Sequence, residues 1–598
     1  MKNDNILNNP NIQPTSGLPD LGKKNDIELN KKDIILSVLF FVSAFLIVDF
    51  VIFNGFNLGF TIAFAVLFGV LTAYLYTKES RISVFSCLCG AMSLAGAVTF
   101  SLYDDWLMNL IMLFLICALF CIYICSVSSV FKNRTGSFKM LLDVLESVFI
   151  APFSNAGRIC SAYNRAASKN KISKNVIVGI LLALPVLLVI IPLLASSDAA
   201  FENLLTIVLK NIGIYLVELV LAVIITPFIV FYAMSKKYSL KIQKTASVSG
   251  GKGVIQPPLT ISFLSVISLT YVVYLFSQLA YFFSAFSGIL PEGYTKTASE
   301  YARRGFYEMF AICVINMVII GLANALTKRK KGKITLSIKL LSTFVLAFTV
   351  LILITAMQKM KLNVEIYGLS KNRLLVFVFM LMIMIIIFFY ILHIFLPKVS
   401  YMQPIIVICS AMFIALSFAD INSIVCDYNI RAYNNGDIKS IDVNYINDLS
   451  DSCIDGIIEL ADCDDHIVSK QAKSIIMQKL KVDYRSYFGL ADDINANDEI
   501  TYKPDFDFRS YNKSEDTACR LLEEYYNSLS PEDREKLIIQ YNFDNGDYYY
   551  NENEDIYELY GSEYYTEYAY NEDSGMYELS QRYELNEYGV YDETQQQV

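Results

Sequence analysis

The stretch LLVFVFMLMIMIIIFFYILHIFL runs from Leu374 to Leu396 and contains no Asp, Glu, Lys or Arg. A helix of roughly 20 apolar residues crosses the ~30 Å hydrocarbon core of a bilayer. A helix is required there because lipid offers no hydrogen-bond partner for exposed backbone groups. The stretch therefore predicts a transmembrane helix.

Ten further segments pass the same test, which predicts an all-α fold, a polytopic transmembrane helix bundle of about 11 spans. The shortest segment contains Pro404, so 10, 11 or 12 spans remain open. The ten segments are Ile34 to Phe53, Phe56 to Tyr76, Ile82 to Leu102, Trp106 to Val127, Val176 to Leu194, Ile212 to Met234, Ile261 to Phe286, Phe306 to Leu326, Ile334 to Met357 and Met402 to Phe418.

The composition agrees with a membrane protein. Hydrophobic residues make up 55% of the chain and charged residues only 18%, against about 25% charged in soluble domains. The net charge of −9 comes from the C-terminal end, because fifteen acidic residues and the single basic residue Arg582 follow Tyr541. The rest of the chain is mildly basic, which suits contact with anionic lipid.

Basic residues accumulate on alternate connections, roughly 26 on the side of the N-terminus and roughly 8 on the other side. This asymmetry predicts a multi-pass protein of the cell membrane with a cytoplasmic N-terminus. With eleven spans, the C-terminus is extracytoplasmic. Four regions follow: a disordered cytoplasmic arm (1–33), the membrane domain (34–419), an extracytoplasmic helical region (420–540) and an acidic, tyrosine-rich tail (541–598).

The region after the last span is predicted to form a small helical extramembrane domain. Asp442 to Ala461 and His466 to Tyr487 carry apolar residues at helical spacing, and Ser530 with Pro531 forms a helix start. Beyond Tyr541 aliphatic residues are scarce, so little apolar surface offsets the entropy cost of ordering. A disordered, flexible tail is expected there.

No catalytic, cofactor or metal motif is present. His393 and His466 are the only histidines, too few for a histidine-based triad or a zinc site. The run Gly250 to Gly253 has the wrong spacing for a phosphate-binding loop. The sequence therefore predicts a protein that is not an enzyme, uses no cofactor or metal, and has no nucleic-acid partner.

An amphipathic helix is predicted between the fourth and fifth spans. Its apolar face opposes Lys139, Asp143 and Glu146, which suits a helix in the cytoplasmic membrane interface. A buried connector helix is the alternative. The apolar face consists of Phe138, Leu141, Leu142, Leu145, Val148 and Phe149.

Ionisable residues at membrane depth are costly and therefore mark candidate sites. Glu218 and Lys339 are the intramembrane candidates. A second set is expected at the outer face, either as a structural ion-pair network or as a polar pocket whose arginines hold a phosphate or carboxylate group. That set comprises Asp198, Arg303, Arg304, Glu308, Tyr367, Arg373, Asp420 and Arg431.

Several stretches resemble the bacterial membrane proteins of domain-of-unknown-function family 4173 and the related family 4153. The most specific is Tyr-Ala-Arg-Arg-Gly-Phe within Glu300 to Glu308. The resemblance covers roughly Ile34 to Ser450 and implies a multi-span bacterial membrane protein without an established activity. The other stretches are Leu194 to Phe201, Tyr367 to Ser370 with Arg373, Asp420 to Asn422 and Asn429 to Tyr433.

Two functional hypotheses follow. In the first, the outer polar cluster binds or transports a polar or lipid-like solute. In the second, the chain is a cell-envelope sensor or scaffold that presents its C-terminal domain to an envelope protein partner. In both, the lipid bilayer surrounds the apolar helices.

Overall fold

The computed structural model describes the chain from residue 27 to residue 593 with gaps. The described residues are 27–76, 83–128, 139–168, 199–238, 254–287, 306–329, 334–397, 399–489, 494, 496–504, 507–544 and five strands between 548 and 593. For 139, 167–168, 199–214, 216, 277–287, 306–308, 539–540, 542–544 and the strands, the backbone alone is described.

Within the described residues, twelve helices lie between residue 27 and the bend that follows Phe418. They are α1 (Lys31–Ile47, continued by the π-helical turn Val48–Phe53), α2 (Leu58–Leu75), α3 (Val84–Val98), α4 (Trp106–Val127), α5 (Lys139–Leu145), α6 (Ala151–Ser168), α7 (Ala199–Lys237), α8 (Pro257–Ser287), α9 (Phe306–Leu326), α10 (Leu336–Tyr367), α11 (Lys371–Phe395) and α12 (Met402–Phe418).

Within the described residues, nine helices are long and apolar enough to cross a membrane, and a bent helix pair brings the number to ten. These ten coincide with ten of the eleven segments predicted from sequence. The eleventh, Val176 to Leu194, lies outside the described residues. The prediction of an all-α polytopic bundle is confirmed for the membrane part of the chain.

The bent pair consists of α12 and α13 (Ile421–Asn434), whose axes differ by 60°. Asp420 lies between them with a φ of 51°, the only positive φ at a described non-glycine residue. Its carboxylate accepts hydrogen bonds from the backbone N–H groups of Asn422 and Ser423, at 3.1 and 3.4 Å. The side chain therefore caps the start of α13 and fixes the direction in which the chain leaves the membrane helix.

The C-terminal region is a set of short helices around one core. A serine cap begins its last helix, because the Ser530 hydroxyl accepts a hydrogen bond from the Asp533 N–H at 3.2 Å, as the sequence predicts. The predicted helix from Asp442 to Ala461 is broken into two helices and a 3-10 turn. The helices are α14 (Val443–Asn447), α15 (Ile454–Ala461), α16 (His466–Gln478), α17 (Arg485–Phe488), α18 (Lys513–Ser528) and α19 (Pro531–Asp544).

The tail contains strands, which corrects the expectation of a region without regular structure. Five antiparallel strands pair in chain order: β1 (Tyr548–Asn551), β2 (Ile556–Leu559), β3 (Tyr564–Asn571), β4 (Met576–Leu585) and β5 (Tyr591–Glu593). Tyrosine favours strands, and aromatic pairs across neighbouring strands stabilise sheets. Tyr550 lies opposite Tyr557, and Tyr570 opposite Tyr577. The prediction counted aliphatic residues alone and missed this contribution.

The chain forms two compact units. The smaller unit comprises Met1–Phe45, Gly69–Lys78 and Leu145–Lys244, and the larger comprises Leu46–Phe68, Glu79–Val144 and Thr245–Val598. In the larger unit, α8 to α11 share one apolar core. Asn316 is fully buried there and donates to the Thr349 hydroxyl at 2.9 Å, so this polar group is satisfied inside the helix bundle.

A glycine ends α10 at a position that excludes any other side chain. Gly368 has a φ of 74°, and a Cβ there would lie 2.5 Å from Asn429 Oδ1. The Asn429 amide cannot move away cheaply, because it is hydrogen-bonded to both the N–H and the C=O of Leu369 at 2.8 Å.

We therefore expect Gly368→Ala to lower the free energy of unfolding by about 1–3 kcal/mol, through backbone strain and loss of the Asn429 contacts. The matched control is Gly321→Ala within α9, where a Cβ meets nothing within 4 Å. This control should be neutral or slightly stabilising, since alanine favours a helix over glycine. Thermal unfolding of the detergent-solubilised chain compares the two. Equal unfolding midpoints for Gly368→Ala and Gly321→Ala would contradict the assignment of backbone strain to position 368.

Candidate binding cleft

The C-terminal region is hydrogen-bonded to the ends of the membrane helices in the larger unit. The N–H groups of Leu58 and Gly59, at the start of α2, donate to the carbonyls of Tyr511 and Arg509, both at 3.1 Å. The Ser514 N–H donates to the carbonyl of Leu102 at 3.0 Å, beyond the end of α3. These backbone contacts fix the C-terminal helices against one end of the bundle.

An ion pair reinforces this contact. Arg509 Nη1 donates to Asp49 Oδ1 at 2.6 Å, and the same guanidinium binds the Asp507 carboxylate. The hydrogen bond from Arg509 lowers the pKa of Asp507. Asp49 is buried near the end of the first span, where an unpaired carboxylate would be costly. The C-terminal region therefore supplies the cation that makes this acid tolerable.

A small open cleft lies beside these contacts, between the start of α4 and the junction of α12 with α13. Seven of the nine lining residues have polar side chains, although most of the exposed lining surface is apolar. The lining residues are Thr99, Tyr103, Asp105, Met108, Asn109, Ser417, Asp420, Ile421 and Asn422.

Asp105 joins three helices at the cleft. Its carboxylate caps α4 by accepting from the Met108 N–H at 3.0 Å, and it accepts from Asn422 Nδ2 on α13 at 2.9 Å. Lys371 Nζ, at the start of α11, lies 2.5 Å from the same carboxylate. The Asp105 side chain is only 4% exposed. This carboxylate therefore binds α4, α11 and α13 at one point.

Two buried polar atoms of the lining lack a hydrogen-bond partner. They are Asn422 Oδ1, in a residue that is 1% exposed, and Ser417 Oγ, in a residue that is 8% exposed. A buried polar group without a partner costs about 1–3 kcal/mol. A solute in the cleft that donates hydrogen bonds would remove this penalty.

The neighbourhood of the cleft is acidic. Asp105 and Asp420 line it, and Asp451 and Glu515 belong to the adjoining C-terminal region. Burial raises the pKa of Glu515; the nearby carboxylates of Asp451 and Asp104 raise it further, and a hydrogen bond with Tyr487 opposes them. Lys371 pairs with Asp105, and Lys479 Nζ donates to Asp451 at 3.0 Å. In the described part of the chain, no group of three or more His, Cys, Asp or Glu residues suits a metal ion.

Of the residues predicted for the outer cluster, Asp420 is the one that lines the cleft. Arg373 donates instead to the Gly368 carbonyl at 2.5 Å. Arg431 is an exposed residue 3.9 Å from Asp427, and Tyr367 is 53% exposed at the end of α10. Arg373 and Arg431 therefore do not converge on a common anion site. Asp198, Arg303, Arg304 and the Glu308 side chain lie outside the described residues.

The two intramembrane candidates lie away from the cleft lining. Glu218 is buried in α7, with 1% of its surface exposed. Lys339 lies in the first turn of α10, and its ammonium group is 5.8 Å from the centre of the Phe395 ring. Neither residue is among those that line the cleft.

Sequence reasoning missed Asp105, Lys371, Asn422 and Ser417. A local signal existed for Asp105, which directly precedes the apolar segment that starts at Trp106 and therefore occupies a helix-cap position. No local signal connects Asp105 with Asn422, because 317 residues separate them. Their pairing depends on how the helices pack.

The fold defines a polytopic integral membrane protein with a helical C-terminal region fixed to one end of its helices. The chain belongs to the family described as a domain of unknown function (DUF4153), whose sequence profile matches residues 62–460. The match confirms the resemblance to that group of families, and it contains every residue that lines the cleft. No curated protein and no solved structure matches the chain.

We expect substitutions in the Asp105–Lys371 pair to lower the free energy of unfolding in a coupled way, as they do in a buried ion pair. Asp105→Asn retains a helix cap but leaves the Lys371 charge unpaired, so we expect a loss of roughly 3–5 kcal/mol of unfolding free energy. Lys371→Met should cost a similar amount, and the double variant should cost clearly less than the sum. Denaturant unfolding of the four proteins measures the coupling.

The exposed pair Asp427 and Arg431 provides the matched control, since both partners belong to one helix and are 51% and 80% exposed. Asp427→Asn should change the free energy by less than about 1 kcal/mol. Additive losses from the two single substitutions at Asp105 and Lys371 would contradict the assignment of a buried pair.

Proposed function

We propose that the chain is a non-enzymatic membrane protein whose cleft at the outer face binds a small polar solute. The observation that carries the proposal is the pair of unpartnered buried oxygens, Asn422 Oδ1 and Ser417 Oγ, in a cleft that two carboxylates also line. Acceptor groups in such an arrangement favour a ligand that donates hydrogen bonds.

The charge of the cleft favours a cationic head group. Asp105 and Asp420 are its two charged lining residues, and because Lys371 neutralises Asp105, Asp420 supplies the negative charge. Arg373 and Arg431, which suggested a phosphate or carboxylate ligand from sequence, have other partners. A primary ammonium group supplies three donors and a positive charge in a compact volume. The cleft has room for about one water-sized group, so it fits the ammonium group itself rather than a whole head group.

We further propose that the cleft faces away from the cytoplasm. The ends of α1 and α3 contact the C-terminal region, and the Gly368 turn after α10 contacts α13. These ends therefore belong to one side of the membrane, the side that carries fewer basic residues in the sequence.

The count of crossings supports this topology. The end of α4 at Val127 and the start of α10 at Leu336 both lie on the side opposite the cleft. Because each crossing reverses the side, an even number of crossings must separate them. The described spans between them lie in α7, α8 and α9, which is an odd number. One further crossing is required, and the sequence predicts it at Val176 to Leu194. The total is then the predicted eleven.

Cysteine accessibility in intact cells tests the orientation. Asn435→Cys, at an exposed position after α13, should react with a membrane-impermeant maleimide. The matched control is Arg329→Cys, at an exposed position after α9, which should react only after lysis. The parent chain, with its own cysteines, sets the background. The reverse pattern would overturn the proposed orientation.

Thermal unfolding of the purified full-length chain tests the solute class, with ethanolammonium chloride as the cationic probe and sodium phosphate as the anionic probe. Sodium chloride at equal ionic strength is the reference. A ligand at 100 times its Kd stabilises the folded state by about 2.7 kcal/mol. We expect ethanolammonium to raise the unfolding midpoint and phosphate to leave it unchanged.

The decisive variant is Ser417→Ala, which removes one unpartnered hydroxyl with little change in volume. Its matched control is Ser410→Ala on the same helix, since Ser410 is also buried but does not line the cleft. The ethanolammonium shift should shrink in Ser417→Ala and persist in Ser410→Ala. No shift in the parent chain, an equal shift in both variants, or a shift with phosphate alone would contradict the proposal.

A second candidate function, an envelope sensor or scaffold, rests on the C-terminal surface. Ile467 and Val482 are 71% and 61% exposed on a region that is held rigidly to the membrane helices. Exposed apolar side chains on a fixed support suit contact with a protein partner. Ile467→Ser with Val482→Ser should then abolish partner cross-linking without changing the ethanolammonium shift.

A further inference from the structure

Residues 145–168 of the smaller unit form a continuous helical segment, which consists of the last residue of α5, the π-helical turn Glu146–Ile150 and α6. Unlike a helix in water, this segment buries polar side chains and exposes apolar ones. Ser147 and Asn155 are 4% and 3% exposed, whereas Phe149 and Phe153 are 64% and 58% exposed. In water, helices bury the apolar stripe and expose the polar one. The outward face of this segment therefore suits an apolar medium.

The buried polar residues are compatible with this arrangement. Asn155 Nδ2 donates to the Ala151 carbonyl at 2.8 Å and to the Ser154 hydroxyl at 3.2 Å. Its amide therefore has partners inside the protein and does not need water. Because the inward polar group is satisfied, the segment gains no hydrogen bond by turning Asn155 outward.

The exposed stripe continues a surface that already faces lipid. The ring of Phe153 lies 6.0 Å from the ring of Phe228, which is 53% exposed in the membrane span Val217–Lys237. Phe228 precedes Lys237 by nine residues, about 13 Å along a helix axis. Phe153 therefore lies at the depth of the hydrocarbon and not at the level of the charged helix end.

The other end of α6 has a different surface. Ser161, Asn164 and Arg165 are exposed, and the Tyr163 hydroxyl is hydrogen-bonded to Ser37 in the first turns of α1. The exposed face thus changes from aromatic and aliphatic to polar along one helix. This gradient is expected of a helix that enters the bilayer at an angle and leaves it through the polar interface.

We propose that residues 145–168 form a lipid-binding element that enters the membrane without crossing it. Its stripe of exposed apolar residues contacts acyl chains, and the second half of α6 lies among the head groups. The occupant is lipid and not a second copy of the chain, because the stripe adjoins the lipid-facing side of a membrane span. The stripe consists of Leu145, Phe149, Ile150 and Phe153. The proposal does not depend on the solute cleft.

Tryptophan fluorescence in proteoliposomes tests the proposal. The background is Trp106→Phe, which removes the single native tryptophan of the full-length chain. Phe149→Trp is the test variant, and Ser161→Trp, an exposed position in the polar half of α6, is its matched control. The vesicles contain phosphatidylcholine with or without bromine on the acyl chains, since brominated chains quench a tryptophan that touches them. We expect Phe149→Trp to be quenched at least about twofold more than Ser161→Trp.

Equal quenching at the two positions would overturn the proposal. So would blue-shifted emission from Phe149→Trp without quenching, because it would mean that protein covers the stripe. Ile150→Trp, at a residue that is 52% exposed on the same stripe, replaces Phe149→Trp if that variant does not elute as a monodisperse peak.

Discussion

The protein depends on one constraint: hydrocarbon offers no partner to a polar group, so a group left unpaired at membrane depth is costly. Helices satisfy this requirement for the backbone, and the carboxylates collect near helix ends. Asp49 pairs with Arg509 near the end of the first span, and Asp105 pairs with Lys371 just before α4. Asp420 caps α13 through two backbone N–H groups. The same pairing fixes the C-terminal region to the bundle.

Asp105 illustrates how this pairing produces a candidate site. Its carboxylate is shared between a helix cap, the Asn422 amide and the Lys371 ammonium group. Because the Asn422 amide nitrogen faces Asp105, its oxygen lies in the cleft lining without a partner. The contact that holds three helices together thus also leaves a buried acceptor unpaired in a residue of the cleft lining. Asp105 and Asn422 thus contribute to stability as well as to proposed binding. Substitution of Ser417 separates the two effects, because Ser417 does not take part in the contact at Asp105.

Two helices show that the surrounding medium determines whether the apolar or the polar face of a helix is buried. In α16 of the C-terminal region, Val468, Ala472 and Ile475 are buried, as in a soluble domain. In the segment that leads into α6, the exposed residues are aromatic and aliphatic, and Ser147 is buried. The two helices share the same physical preference, but one meets water and the other meets acyl chains. Amphipathicity alone does not tell these cases apart, whereas exposure in the folded chain does.

Sequence alone determined the spans and the Ser530 helix start, because both depend on neighbours within one or a few helical turns. It did not determine the tail strands, in which Tyr570 of one strand lies opposite Tyr577 of the next. It also predicted an outer cluster that joined Arg373 and Arg431 with Asp420, whereas in the structure Arg373 donates to a backbone carbonyl and Asp420 lines the cleft. The cleft was decided by tertiary structure, since Asp105, Lys371 and Asn422 meet only after distant helices pack. Hydropathy is a local property, whereas charge pairing across hundreds of residues is a property of the assembled bundle.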